Sequence, residues 1–325
     1  MQREYGYIGP EEQESQPIVM RKGQNVAGYS VGILYLDNVW YPLVPGNVVN
    51  ACTYDFPVRM KAVPGLDTPK LHSGDPAIFG TLLEAAKALE QEGVRAISAA
   101  CGFFGHFHTQ LAEAMDLPVA LSSLVQVPWI LTTLKRTQKI GVLTANASAI
   151  SPGLLKSCCI QDPGRLVIRD LRHEPHFSAI MEDRGSFDNA GVRREVVNAA
   201  AELQREYPEI GAFLLECSDT PPYAYAVQRQ TGLPVFDFIT MIRWLHNATT
   251  SGRTRLDLSA CFCKEGEEDV KEILKCMDKI PQGVFLVGTK KGEGYNLMTA
   301  AFVTRCHSTR QALRCRWRTT TTRRS

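Results

Sequence analysis

One pattern occurs twice in the chain at a constant spacing, and this repeat limits the possible folds more than any other feature. A short apolar run ends in Cys101, and a second apolar run ends in Cys217, 116 positions later. The stretches Leu117–Val119 and Leu233–Val235, both Leu-Pro-Val, lie at the same spacing. Duplication of one α/β unit, with a thiol at a strand end in each copy, accounts for all of these matches.

The two halves also begin alike and continue as alternating strands and helices. Val31–Leu34 and Ile140–Leu143 are similar apolar strands, and amphipathic stretches such as Val192–Tyr207 have helical spacing. Strands that alternate with helices predict a parallel sheet flanked by helices. The predicted fold class is α/β, with two pseudo-symmetric lobes of this kind and an active site in the cleft between them. The predicted segments are a loose leader (1–28), a first lobe with Cys101 (29–137), a second lobe with Cys217 (138–250) and an atypical, poorly ordered tail (251–325).

Composition excludes several classes of protein. Of the 325 residues, 44% are hydrophobic, which is enough for a sizeable core. A net charge of +2 gives no reason to expect nucleic acid or a membrane surface as a partner. The apolar runs fall short of the roughly 20 residues that a bilayer span needs. Ten cysteines without a secretory signal are typical of free thiols in a reducing compartment, so we expect a cytoplasmic protein.

Around its two cysteines the sequence resembles the aspartate/glutamate racemase superfamily, over about residues 29–250. The resemblance rests on the duplicated plan, the strands that open each half, and the motifs Leu215-Glu216-Cys217, Pro221-Pro222-Tyr223-Ala224 and Gly232-Leu233-Pro234-Val235-Phe236-Asp237. It implies a racemase or epimerase that needs no cofactor, pyridoxal phosphate included. It also implies a small-molecule substrate, a carboxylate or a hydantoin-like compound, and a homodimer as one possible assembly.

The residues after each cysteine depart from the pattern of glutamate racemases. Those enzymes follow the first cysteine with Asn-Thr and the second with Thr-His. Here Cys101 is followed by Gly102-Phe103-Phe104, and Cys217 by Ser218-Asp219. Polar side chains that would hold an amino-acid carboxylate are therefore partly missing. This difference disfavours free glutamate and favours a bulkier or more apolar substrate.

Racemisation needs a base on one face of a carbon atom and an acid on the other. A thiol suits both roles because its pKa of about 8.5 is readily shifted by its surroundings. A helix N-terminus after each cysteine would favour the thiolate and could hold an anionic carboxylate or enolate. We expect Cys101 and Cys217 to be the catalytic pair and to exchange roles with the direction of reaction. Two buried structural thiols are the alternative, which their matched placement disfavours.

Further candidate substrate-binding residues lie close to predicted strand ends, where α/β folds bind their ligands. They are Gly102, Phe103, Ser218 and Asp219 after the cysteines, and Asp37, Asn38, Thr144, Asn146 and Ser148 after the strands that open each half. Turn formation explains the second group equally well, and helix capping explains Ser218 and Asp219 better. Glu216 could tune the neighbouring thiol, but we expect it to point into solvent. His106 and His108 are two apart, the wrong spacing for one helical face, and no metal site is predicted.

The function predicted from these features is that of an isomerase. It would racemise or epimerise a carbon next to a carboxylate or a cyclic imide carbonyl, in an amino acid, a hydantoin or a related acid. An alternative is an enzyme like maleate isomerase, in which one cysteine attacks carbon as a nucleophile. An enzyme like arylmalonate decarboxylase is less favoured, because that chemistry needs only one cysteine. A second alternative is a ligand-binding relative that has lost catalysis.

Overall fold

The computed structural model describes residues 22–250 and four later strands, at 284–291, 294–301, 303–304 and 314–315. The chain divides into two units, 1–255 and 256–325. Most of the predicted leader and most of the predicted poorly ordered tail lie outside the described residues. Among the described residues, no helix has both the length and the apolar character that a membrane crossing requires.

The first sheet contains four parallel strands in the order β2-β1-β3-β4. The strands are β1 (Val31–Leu36), β2 (Val58–Val63), β3 (Ala96–Ala100) and β4 (Val119–Ala120). The helices that accompany them are α1 (Thr68–Ser73), α2 (Ile78–Gln91), α3 (His108–Ala114) and α4 (Val127–Thr133).

The second sheet repeats this arrangement, in the order β6-β5-β7-β8, again with every pairing parallel. Its strands are β5 (Lys139–Thr144), β6 (Leu166–Asp170), β7 (Ile210–Leu215) and β8 (Val235–Phe236). The helices are α5 (Pro152–Ser157), α6 (Ser178–Met181), α7 (Asn189–Glu206), α8 (Ala224–Thr231) and α9 (Phe238–Thr249). The two-lobed α/β fold that the sequence predicted, and that the resemblance to the racemase superfamily implied, is confirmed.

The strands that lead to the two cysteines are the most deeply buried. Every residue of β3 and of β7 is buried. A strand covered by helices on both faces has no solvent side, so it appears in the sequence as a continuous apolar run and not as an alternating pattern. These two apolar runs therefore identify the interior strands of the two sheets.

Helix α9 belongs to the second half in sequence but packs on the first sheet. Its buried residues Phe238 and Met241 form one core cluster with Val31 and Ile33 of β1. The helix begins at a capping box, in which the side chain of Asp237 accepts the N–H of Thr240 and the hydroxyl of Thr240 accepts the N–H of Asp237. The chain therefore returns to its first lobe after completing the second, which ties the lobes together.

The second unit is described only by its strands. β9 (Val284–Lys291) pairs with β10 (Gly294–Ala301) in an antiparallel hairpin, and β11 (Val303–Thr304) pairs with β12 (Arg314–Cys315).

Candidate active site

Both cysteines lie at the carboxyl ends of interior strands and line the same cleft. Cys101 follows β3 directly, and Cys217 follows β7 after one intervening residue, Glu216. Because all the strands of each sheet run parallel, the loops that follow them collect at one edge. The lining residues are Leu36, Tyr41, Thr68, His72, Ala100, Cys101, Gly102, Phe103, Ala145, Ile180, Met181, Glu216, Cys217, Ser218 and Asp219.

The two thiols share one local geometry. The backbone of Phe103 hydrogen-bonds the sulfur of Cys101, and the backbone of Asp219 hydrogen-bonds the sulfur of Cys217. In both cases the donor is the N–H group two residues further along the chain. A 3-10 helix follows each turn, at Gly102–Phe107 and Pro221–Tyr223. The duplication inferred from the sequence therefore extends to the hydrogen bond that each sulfur accepts.

The thiol of Cys217 faces the buried carboxyl group of Asp219, which accepts several hydrogen bonds. The sulfur of Cys217 donates to Oδ2 of Asp219 at 3.4 Å, and the hydroxyl of Tyr41 donates to the same oxygen at 3.2 Å. The side-chain amide of Asn47 donates to Oδ1. Tyr41 and Asn47 belong to the loop after β1, so a loop of the first lobe reaches the cysteine of the second.

Burial shifts the ionisation of these groups. It raises the pKa of the Cys217 thiol well above its ordinary value, and the nearby carboxyl of Asp219 adds to the shift. Burial also raises the pKa of Cys101, with the carboxyl of Glu216 as the next cause. The pKa of Asp219 itself is raised by burial. Both thiols are therefore held in the protonated form until something supplies positive charge or further hydrogen-bond donors.

The first thiol faces a histidine that the sequence analysis missed. Nε2 of His72, on α1, lies 4.0 Å from the sulfur of Cys101, and its Nδ1 lies 3.0 Å from Nδ2 of Asn146. Burial lowers the pKa of His72 to about 4, so the ring is neutral at physiological pH. The position of His72 in the sequence could have identified it. Helix α1 follows β2, which is the neighbour of β1 in a parallel sheet. The helix therefore begins at the edge of the sheet where the Cys101 turn lies.

Glu216 lines the cleft with the two thiols and does not point into solvent, so the expectation for this residue was wrong. Its side chain is completely buried, and Oε2 accepts the hydroxyl of Thr144 at 2.8 Å. Oε1 has no partner among the described residues. Burial raises its pKa to about 7. The preceding interior strand explains this outcome, since β7 is buried to its end and carries the next residue into the cleft.

The structure distributes the candidate substrate-binding residues between the cleft and its surroundings. Gly102, Phe103, Ser218 and Asp219 line the cleft with the two cysteines, and Asp37, Asn38, Thr144, Asn146 and Ser148 are not among the lining residues. Asp37 and Asn38 are exposed, and Asp37 accepts the backbone N–H of Gly65 at 2.9 Å. Their role in substrate binding stays a prediction. Within the described residues, no group of three His, Cys, Asp or Glu side chains is arranged to hold a metal ion.

Curated relatives of the chain share one enzyme name. No protein-family model matches the sequence. A dimethylsulfoniopropionate lyase from Durusdinium sp. clade D is 32% identical over 225 residues, which cover 67% of this chain and 74% of that protein. The chain belongs to the dimethylsulfoniopropionate lyase family. Six further dimethylsulfoniopropionate lyases, all from Emiliania huxleyi, are 28% to 33% identical, and the matches cover 36% to 73% of their length. The expectation of an enzyme is confirmed, and these relatives are named as lyases and not as isomerases.

Solved structures similar to this lyase-family chain are more distant. An arylmalonate decarboxylase has 18% identity and a TM-score of 0.47, over 69% of this chain and 93% of that chain. An allantoin racemase from Pseudomonas fluorescens has 15% identity and a TM-score of 0.48, over 68% of this chain and 93% of that chain. These likenesses concern the fold alone.

Proposed function

We propose that the protein is a lyase for dimethylsulfoniopropionate or a closely similar sulfonium acid. It would remove a proton from the carbon next to the carboxylate and release a neutral sulfide from the neighbouring carbon. The observation that carries this proposal is the content of the cleft. Two thiols meet two buried carboxyl groups there, Glu216 and Asp219, and the described residues that line the cleft include no lysine or arginine.

The charge of the cleft suits a cationic group. A sulfonium centre carries a positive charge that no hydrogen bond can neutralise, so nearby carboxylates and aromatic faces are the groups that stabilise it. Glu216 and Asp219 supply the carboxyls, and the rings of Tyr41 and Phe103 line the same space. The hydroxyls of Thr68 and Ser218 are available to the substrate's carboxylate. Free glutamate, with two carboxylates, fits this lining less well.

The sulfonium group of the substrate would also offset the effect of burial, which raises the pKa of the thiol base. Burial and two neighbouring carboxyl groups raise the pKa of Cys101 and oppose formation of the thiolate. A sulfonium ion bound beside these groups adds a positive charge at short range, which favours the thiolate again. The base would therefore become effective only when the correct substrate is present.

The reaction needs one proton transfer and one bond cleavage. The thiolate of Cys101 takes the proton from the carbon next to the carboxylate. The electron pair of that C–H bond becomes the second bond between the two carbon atoms. The bond from the next carbon to sulfur breaks with its pair on sulfur, and dimethyl sulfide leaves as a neutral molecule. Acrylate remains, and the Cys101 thiol returns its proton to solvent.

The unequal surroundings of the two thiols support a lyase over a racemase. A racemase that works in both directions needs each thiol to serve as base and as acid. Here the sulfur of Cys217 donates to the carboxyl of Asp219, which favours the thiol form, whereas the sulfur of Cys101 faces the ring nitrogen of His72. We assign the base role to Cys101, and a role as proton donor or neutral neighbour to Cys217.

Racemisation or epimerisation of a carboxylic acid is the second candidate function. The observation in its favour is that both thiols line one cleft and each accepts the same type of backbone hydrogen bond. It would require proton exchange at the carbon next to the carboxylate without loss of a leaving group. Isomerase, decarboxylase and purely ligand-binding activities are further alternatives, and each of them predicts that the protein releases no dimethyl sulfide.

The test is release of dimethyl sulfide, measured by gas chromatography of the headspace over the purified protein with dimethylsulfoniopropionate. The proposal expects release by the wild type and a loss of roughly 100-fold or more in Cys101→Ser, because a general base is worth about that factor or more. Cys159→Ser, at an exposed free cysteine, is the matched control and should keep full activity. Absence of dimethyl sulfide with the wild type, or full activity in Cys101→Ser, would overturn the proposal.

A further inference from the structure

We propose that a one-way chain of hydrogen bonds runs from Arg172 through Ser148, Asn146 and His72 to the sulfur of Cys101. Every member would donate towards the sulfur, so that the neutral ring of His72 stabilises the Cys101 thiolate. The inference deepens the base role that the proposed function gives to Cys101 and rests on it. Asn146 and Ser148 then act as positioning residues behind the cleft.

The orientation of the Asn146 side chain is fixed by two donors. The backbone N–H of Ala149 lies 3.2 Å from Oδ1 of Asn146, and the hydroxyl of Ser148 lies 2.7 Å from the same atom. A backbone N–H can only donate, so the atom that faces it must be the amide oxygen. The amide nitrogen of Asn146 is therefore the atom that faces His72.

That orientation fixes the tautomer of the histidine. An amide nitrogen carries two protons and no acceptor site, so Nδ1 of His72, 3.0 Å away, must accept. The ring proton of a neutral histidine then resides on Nε2. Nε2 is the atom 4.0 Å from the sulfur of Cys101, a contact distance at which an N–H group can donate weakly to sulfur. The lowered pKa of His72 agrees with a neutral ring.

At its far end from Cys101, the series of hydrogen bonds starts from Arg172, a side chain that can only donate. Nη2 of Arg172 lies 3.1 Å from the hydroxyl oxygen of Ser148. A guanidinium has no acceptor site, so Ser148 accepts from it and its own proton is free to point at Asn146. All the bonds thus have the same direction, and bonds aligned in this way strengthen one another. The positive charge at the start of the chain favours negative charge at its end.

The hydrogen-bond chain favours ionisation of the Cys101 thiol, whereas other groups around the sulfur oppose it. The carboxyls of Glu216 and Asp219 face this sulfur and oppose its ionisation, as burial does. The backbone N–H of Phe103 favours the thiolate, and the Nε2–H group of His72 would be its second donor. Cys217 has no such side-chain donor among its hydrogen bonds within the described residues and donates to Asp219 instead. The chain therefore accounts for the choice of Cys101 as the base.

The tautomer can be measured without any enzymatic turnover. Two-dimensional nitrogen–proton NMR of the histidine rings, with His72→Gln to assign the signal, reports which ring nitrogen carries the proton. The wild type should show a neutral ring protonated on Nε2. Asn146→Asp keeps an oxygen for the N–H of Ala149, so the local turn is retained. Its carboxylate can only accept, and a proton should appear on Nδ1 of His72. A proton on Nδ1 in the wild type, or no change in Asn146→Asp, would overturn the proposal.

The effect on the thiol can be measured by alkylation with iodoacetamide at a series of pH values. Tryptic peptides 96–135 and 206–229 each contain one cysteine, Cys101 and Cys217, so mass spectrometry follows the two separately. Loss of a hydrogen bond to a charged group should raise the pKa of Cys101. The alkylation rate of Cys101 at neutral pH should therefore fall by roughly ten-fold in His72→Phe. The rate of Cys217 should not change. His72→Gln, which retains an N–H donor, should recover part of the loss.

The matched control is His108→Gln, a nearby histidine that does not line the cleft, and it should leave the rate of Cys101 unchanged. An unchanged or higher rate of Cys101 in His72→Phe would overturn the proposal. Both measurements read the ionisation of a thiol and a ring, not product formation. A failure of the lyase proposal, seen as absence of dimethyl sulfide, is therefore distinguishable from a failure of this one.

Discussion

Gly102 packs directly against Glu216, whose carboxyl group fills the space that a side chain on residue 102 would need. A Cβ atom on residue 102 would lie 1.6 Å from Oε1 of Glu216 and 2.8 Å from its backbone oxygen. The turn after the first cysteine can therefore approach the residue before the second one only because residue 102 is a glycine. This close approach brings the two cysteine turns, one from each lobe, to the same cleft.

Gly102→Ala should therefore destabilise the fold. The added methyl group must displace either the buried carboxyl or the backbone of Glu216, and overpacking of this kind costs about 1–3 kcal/mol of unfolding free energy. Chemical denaturation of the purified protein measures the change. Gly80→Ala is the matched control, because nothing lies within 4 Å of the added atom and the position is in helix α2. That control should be neutral or stabilised by up to roughly 1 kcal/mol. Equal stability of Gly102→Ala and the wild type would contradict the contact.

Glu216 should make the unfolding free energy depend on pH. Its pKa is about 7 in the folded protein and 4.5 as an ordinary carboxyl, so the folded state binds the proton more tightly. The resulting stabilisation is fully present below about pH 4.5 and is lost as the pH rises towards 7. The full loss corresponds to about 3 kcal/mol, as an order of magnitude.

Glu216→Gln, which stays neutral at every pH, provides the comparison. The difference in unfolding free energy between this variant and the wild type should grow in favour of the variant from about pH 5 to about pH 8. Thr144 can still donate to the side-chain oxygen of the glutamine, so its hydrogen bond is retained. A difference that does not change with pH would show that the carboxyl is not held protonated in the folded state.

Asp219 should matter more for a compound that carries a sulfonium group than for one that lacks it. If its carboxylate stabilises the sulfonium group, Asp219→Asn should raise KM for dimethylsulfoniopropionate by roughly ten-fold, a moderate value for a charge pair at short range. Inhibition by 3-(methylthio)propionate, which has the same carboxylate and no positive charge, should change far less. Asp162→Asn, at an exposed position, is the control. Equal losses for both compounds would mean that Asp219 acts through the structure of the loop and not through its charge.

The fold of the two lobes could be predicted from the sequence more completely than the side-chain contacts inside the cleft. The duplicated lobes could be predicted because β3 and β7 are buried on both faces, which forces apolar runs of recognisable length. Cys101 and Cys217 could be placed in one cleft because each follows an interior parallel strand, at the edge where its sheet binds ligands, and because the duplication suggested two lobes with the active site between them.

Contacts between distant segments left no comparable pattern. His72 lies on a helix of six residues, too short for a periodic signal, and its role depends on an amide from the other lobe. Glu216 directly follows an apolar strand, which indicated that it could be buried. A charged residue at a strand end is more often exposed, and this favoured the wrong prediction. The return of α9 to the first sheet depends on packing that no spacing in the sequence encodes.

Under the proposed function, this cleft breaks a carbon–sulfur bond after removing the proton next to a carboxylate. Proton NMR of dimethylsulfoniopropionate in deuterated water, with the purified protein, tests it most directly. We expect vinyl signals of acrylate together with dimethyl sulfide, and formation of both products slowed by roughly 100-fold or more in Cys101→Ser. Exchange of the protons next to the carboxylate for deuterium, with the substrate otherwise intact, would contradict the lyase and return the assignment to proton-exchange chemistry of the racemase type.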